Sequence, residues 1–105
     1  MAVLSNDPAR QLAPHLPYEI HHHGSARLAE VADWPLIFFD RGSSDWTLTH
    51  ALFRRASLVP NVVLEVETIE AAKRMVERGL GLAFLPRLAV AGELRSKRLV
   101  AIELI

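Results

Sequence analysis

Leu36-Ile-Phe-Phe39 is wholly apolar, too short for a helix, and fenced by Pro35 and Gly42. Such a run reads as a buried strand. Comparable runs recur at Ala2-Val-Leu-Ser5, from Leu80 to Leu85 and from Leu99 to Leu104. From Asn61 to Glu67 the sequence alternates instead, with Val62, Leu64 and Val66 on one face and Val63, Glu65 and Glu67 on a wetter one. Segments of helical period lie between these strands. The order β, loop, α, β, α, β, α, β, α, β predicts an α/β fold, a mostly parallel sheet flanked by helices.

The punctuation supports that order. Asn6-Asp-Pro8 ends the first strand in a turn, and Ala9 to Gly24 reads as an irregular loop rich in histidine and proline. Ser25 caps a predicted helix from Ala26 to Ala32, with Leu28, Val31 and Ala32 inward, and Pro35 prevents its continuation. A second helix runs from Asp45 to Ala56, with Leu48, Leu52 and Ala56 at four-residue spacing. Thr68 caps a third, which ends near Arg78 and turns Ile69, Ala72 and Val76 to one face. Gly79 is its stop, free to adopt left-handed geometry. Gly81 lets the next strand lie close to a neighbouring backbone, and Pro86 marks where that strand leaves the sheet. A weaker helical stretch, Leu88 to Leu94, contains Gly92.

A chain of 105 residues implies one domain, spanning 1–105. Half the residues are apolar, which fits either a sheet covered on both faces or a surface reserved for a partner. Twelve acidic and twelve basic residues give zero formal charge, without the basic stripe of a nucleic-acid binder. Cysteine is absent, which excludes disulfides and thiolate chemistry and fits a reducing compartment. No apolar run approaches the ~18 residues of a membrane span. The Met1-Ala-Val-Leu-Ser start lacks the charge and length of a secretory signal, so a cytoplasmic location is expected.

In an open α/β sheet, ligands bind beyond the carboxyl ends of strands, beside helix N-termini. Gly42-Ser43-Ser44-Asp45-Trp46 is one such corner, and its amides and hydroxyls suit a carboxylate. The plainer reading is that either serine only caps the helix. Asp40 and Asp45 oppose an anion unless they turn away or pair with Arg41. Thr68 forms a second corner, again a cap on the plainer reading, with Glu67 and Glu70 nearby. The run His21-His22-His23 is not read as a metal site, because adjacent side chains diverge. His15 and His50 stand alone and suit surface or cap roles. The Trp and Phe side chains are expected in the core, with Trp46 also beside the polar corner. No nucleophile elbow, phosphate-binding loop or metalloprotease motif is present, so neither enzyme activity nor a cofactor is expected.

Pro35-Leu-Ile-Phe, the Ser/Asp-rich turn, Glu65-Val-Glu-Thr68, Ala72 to Arg78, Gly79-Leu-Gly-Leu-Ala-Phe-Leu-Pro86 and Leu99-Val-Ala-Ile-Glu-Leu104 occur in that order. Together they resemble the effector-binding region of LysR-type transcriptional regulators, from about Arg27 to Ile105. The resemblance implies one lobe, the second, of a fold like that of type II periplasmic binding proteins. It implies that the chain senses a small, often carboxylated effector, with Gly42, Ser43, Ser44 and Trp46 lining the cleft and Thr68 at its edge. The Gly79–Pro86 segment would shape the cleft floor. The family's first lobe and DNA-binding helix-turn-helix have no counterpart in this sequence, so the chain is expected not to bind DNA itself. The complete protein would be a homo-oligomer. Asp7-Pro-Ala-Arg-Gln-Leu-Ala13 departs from the family's His-Pro-Leu-Ala pattern. Other readings are a lobe of a solute-binding protein and an interaction fragment that pairs with a full-length regulator.

Overall fold

The computed structural model describes residues 2–5 and 25–105. The elements are β1 (Ala2–Ser5), β2 (Ser25–Ala26), α1 (Leu28–Ala32), β3 (Leu36–Phe39), α2 (Ser44–Arg55), β4 (Val62–Val66), α3 (Ile69–Glu77), β5 (Leu82–Phe84), α4 (Arg87–Arg95) and β6 (Leu99–Leu104). They form a six-stranded sheet in the order β2-β6-β1-β5-β3-β4. β3 pairs in parallel with both β4 and β5, and β2 in parallel with β6. β1 alone among the described strands runs against its neighbours, β5 and β6. The mostly parallel sheet expected from the alternation is therefore present, with one reversed strand at its centre.

Alternate side chains along each strand feed two cores. Leu36 and Phe38 of β3 join Ala2, Leu82 and Ile102 beneath α1 and α2, where Phe53 is fully buried. Ile37 joins Val3, Ala83 and Leu99 on the opposite face, against Ala72 and Val76 of α3 and Val90 of α4. This period-two division of apolar residues explains why β3 has no polar position: both of its faces are covered. Phe53 stands edge-on to Phe84 at 5.8 Å, a favoured aromatic geometry.

The helix ends follow the capping rules. The Thr68 hydroxyl accepts from the Ala71 amide at 3.0 Å. Gly79 adopts φ 76°, and the Leu80 amide donates back to the Met75 carbonyl at 3.1 Å. α2 and α4 end the same way without glycine, through Ser57 at φ 57° and Lys97 at φ 61°. At Gly81 a Cβ would lie 2.9 Å from Ile37 Cγ1 and 3.0 Å from the Pro35 carbonyl oxygen, so the close approach is real. No helix among the described residues is long and apolar enough to cross a membrane.

Three expectations fail. Ser25 and Ala26 form the short edge strand β2, not a cap and a first helical turn. α1 begins at Leu28, and the Glu30 carboxylate accepts from the Arg27 amide at 3.4 Å. The inner face of α2 is not Leu48, Leu52 and Ala56. Leu48 is 72% exposed and Leu52 39%, while Phe53 is buried and Trp46 packs against the core beside it. Two apolar stripes compete on this helix, and the aromatic one buries more surface. The inner face assigned to Val62, Leu64 and Val66 also fails, since only Val66 of these is half-buried. Among the described residues β4 ends the sheet with β3 as its single partner strand, and its first residues are open to solvent. The predicted turn at Asn6–Pro8, the loop from Ala9 to Gly24, His15 and His21–His23 lie outside the described residues.

Candidate functional site at the carboxyl edge of the sheet

β5, β3 and β4 are adjacent and parallel, so their carboxyl ends open on one edge of the sheet. A helix starts within a few residues of each: α2 after β3, α3 after β4 and α4 after β5. The edge thus gathers three helix N-termini across three neighbouring strands, which are ~4.8 Å apart. Unpaired amides and the positive ends of three helix dipoles meet there.

The central corner is tightly tied. The Ser43 hydroxyl donates to the Asp40 carbonyl at 2.8 Å and accepts from the Trp46 amide at 3.0 Å. The Ser43 carbonyl begins the helix ladder by accepting from the Thr47 amide at 3.3 Å. The single hydroxyl proton of Ser43 is therefore committed, and this side chain caps α2 instead of donating to a ligand. Ser44 is exposed in the first turn, and among the described residues its amide and that of Asp45 are the turn's open donors. A Cβ at Gly42 would meet Asp40 Oδ2 at 3.5 Å, ordinary contact, so packing does not demand glycine there. Asp40 is tied to β4 by its own amide, which donates to the Val66 carbonyl at 3.0 Å. That bond holds the Ser43 corner beside the Thr68 corner.

Trp46 behaves differently from the other predicted site residues. Its indole stacks on His50, with ring centroids 4.4 Å apart and planes 13° apart. With Arg41, Asn61 and Glu65 it lines a groove of about 350 Å³ along β4. Ser43, Ser44 and Thr68 are not part of that groove. Among the described residues Arg41 pairs with Glu65 at 3.6 Å and not with Asp40 or Asp45, so it offsets neither aspartate beside the corner. His50 is thus part of a half-buried aromatic stack, not a lone surface or cap residue.

One corner escaped the sequence reading. Pro86 is the N-cap of α4, and among the described residues no side chain caps this helix. Its first turn carries Arg87, exposed, with no acidic residue in that turn. This is the one of the three corners where a cation stands at an uncapped N-terminus, whereas Asp45 and Glu70 occupy the first turns of α2 and α3. The signal available was Leu-Pro-Arg at a strand exit, obscured by starting the helix at Leu88. Among the described residues, no three His, Cys, Asp or Glu side chains converge as a metal site.

The LysR substrate binding domain family matches residues 10–105. No curated protein sequence gives a significant match. Among solved structures, the effector-binding domain of QuiR in complex with shikimate is similar, with a TM-score of 0.75 and 19% identity over 99% of this chain and 44% of that one. The CcmR regulatory domain of Synechocystis PCC6803 in complex with 2-PG gives 0.78 and 18%, over 98% of this chain and 45% of that one. HinK, a LysR family transcriptional regulator from Pseudomonas aeruginosa, gives 0.68 and 21%, over 98% and 32%. The chain spans less than half the length of each of these proteins. Their likeness in fold, and a family match covering 96 of 105 residues (10 to 105 inclusive), make this chain a member of the LysR substrate binding domain family.

Proposed function

We propose that this chain is the second lobe of a regulator's effector-binding domain and receives a small carboxylated molecule at the carboxyl edge of its sheet. The observation that carries the reading is the meeting of three helix N-termini on adjacent strands. Amides at such ends favour an anion, and ligands of open α/β sheets bind at this edge. The QuiR and CcmR domains, similar in fold, are in complex with shikimate and 2-PG. The open donors are the Ser44 and Asp45 amides, the Ser44 hydroxyl and the first turn of α4 with Arg87. Gly42 supplies the approach, Thr68 closes the edge, and Trp46 forms the outer wall. Ser43 holds the corner in shape.

In the complete regulator a first lobe covers this edge, and the DNA-binding domain lies elsewhere in that homo-oligomer. The effector acts by binding one arrangement of lobes more tightly than another. The chain carries zero formal charge and makes no contact with DNA. It works in the cytoplasm, and its role is binding, not catalysis.

The test is a titration with a panel of small carboxylic acids, shikimate first, followed by calorimetry and thermal melting in parallel. Ser44→Ala and Arg87→Ala are expected to weaken binding while the melting temperature holds. Ser43→Ala is expected to cost about 1 kcal/mol of stability through the lost cap. Unchanged affinity in both Ser44→Ala and Arg87→Ala would remove the site from this edge.

A further inference from the structure

His50 follows Trp46 by four residues on α2, and a helical side chain leans toward the N-terminus, so the imidazole reaches back over the indole. The two rings lie nearly flat on one another, with centroids 4.4 Å apart and planes 13° apart. Both residues are half-buried. The indole packs against the core that holds Phe53, but that core leaves part of it open. Among the described residues neither ring takes part in a hydrogen bond or an ion pair. Trp46 also has no other aromatic partner among them. The imidazole is therefore the contact that restrains the open part of the indole.

Without that restraint the indole has room to leave. A tryptophan in a helix has two favoured χ1 wells. The groove of about 350 Å³ that runs beside the ring, lined also by Arg41, Asn61 and Glu65, gives it space to change between them. Stacking on His50 favours one well over the other by the energy of an aromatic pair.

We propose that His50 is a positioning residue for the effector site: its imidazole holds the Trp46 indole in place as a wall of that site and touches no ligand itself. The proposal rests on the reading of the carboxyl edge as the place where the carboxylated effector binds, with Trp46 as its outer wall. Trp46 stands in the first turn of α2 and His50 one turn further along, so the influence of His50 on binding passes through Trp46. An indole that visits the groove leaves the wall incomplete. Affinity then falls with the fraction of molecules that have the indole in place.

Two measurements on the chain test this. One is the heteronuclear NOE of the Trp46 indole N–H, assigned with Trp46→Phe, which reads fast ring motion. The other is calorimetric titration with shikimate. In His50→Ala the indole is expected to become more mobile and the shikimate Kd to rise about threefold. His50→Phe restores both, because a ring at residue 50 again stacks on the indole. In a Trp46→Ala background, His50→Ala is expected to have no further effect on Kd. Alanine has the higher helix propensity, so the substitution does not weaken α2, and thermal melting checks this. An indole equally ordered in His50→Ala and in the parent overturns the proposal. So does a Kd that His50→Ala leaves unchanged where Trp46→Ala raises it, or a loss that persists in the Trp46→Ala background. A parent chain that binds none of the carboxylic acids, or binds them as well with Trp46→Ala, is a failure of the effector reading. It overturns the role of His50 in binding, while the indole signal still shows whether His50 holds Trp46.

Discussion

At the level of single residues, two glycines with similar sequence signals have opposite roles. A Cβ on Gly81 would press into Ile37 and the Pro35 carbonyl, and Leu82 donates to that same carbonyl at 3.0 Å. Gly92, within α4, has nothing within 4 Å of an added Cβ. Gly81→Ala is therefore expected to destabilise by about 1–3 kcal/mol, the range for overpacking. Gly92→Ala is expected to stabilise by about 0.5–1 kcal/mol, the helix cost of glycine relative to alanine. Urea unfolding of both variants checks the two signs, and equal signs would contradict this account of the close approach. Sequence spacing alone distinguished these positions correctly, since one glycine precedes a strand and the other interrupts a helix. The commitment of Ser43's proton to Asp40 was not legible. It depends on how the chain turns after β3, which the residue types Ser-Ser-Asp do not specify.

Among the elements, α3 and α4 are joined by Lys73, whose ammonium lies 2.7 Å from Glu93 and 3.2 Å from Glu70. The hydrogen bond from Lys73 holds Glu93 below its ordinary value of 4.5, against the opposing effect of burial. The bond to Glu93 raises Lys73 above 10.5 for the same reason. The sign follows from linkage. The Glu93 contribution is present above the unfolded carboxylate value and is lost as pH falls through the depressed folded one. The Lys73 contribution is complete below 10.5 and is lost as pH rises through the raised folded value. Both side chains are 12% exposed, so salt screens this pair less than the exposed Arg41–Glu65 contact. Glu93→Gln is expected to cost about 0.5–1 kcal/mol near neutral pH. The difference from the parent should close on acidification below the depressed value, and a constant gap at all pH values would show that the loss is steric. At this scale the sequence reading located all three longer helices but chose the wrong inner face for α2. Leu48 and Leu52 form a valid stripe, yet Trp46 and Phe53 compete for the same core.

For the whole molecule, the strand nearest the start of the chain decides closure. β1 binds β5 through Ala2 and Val3, and β6 through all four of its residues. The Ser5 hydroxyl donates to the Glu77 carbonyl at 3.2 Å, so α3 is also tied to it. Contacts so distant in sequence form only when the chain is folded as a unit. Amide exchange of β1 is therefore expected to require the same opening free energy as exchange of β5 and β6. β4, paired among the described residues with β3 alone and exposed along most of its length, should exchange faster. Rapid exchange in β1 with protection in β5 would show two independently opening halves.

The alternation of short apolar runs with helical periods was enough to establish an α/β class, five of the six described strands and the corners where α2 and α3 begin. Those features are local: run length, period and capping chemistry depend on near neighbours. Strand direction and order are not local. β1 reversed at the centre of the sheet, β4 exposed at its rim, and the Pro86–Arg87 corner on the same sheet edge as the Ser44 corner all follow from which strands pair. That choice is made by burial summed over two cores. No stretch of sequence carries that sum, so the convergence of three helix N-termini on one edge belongs to the tertiary structure alone.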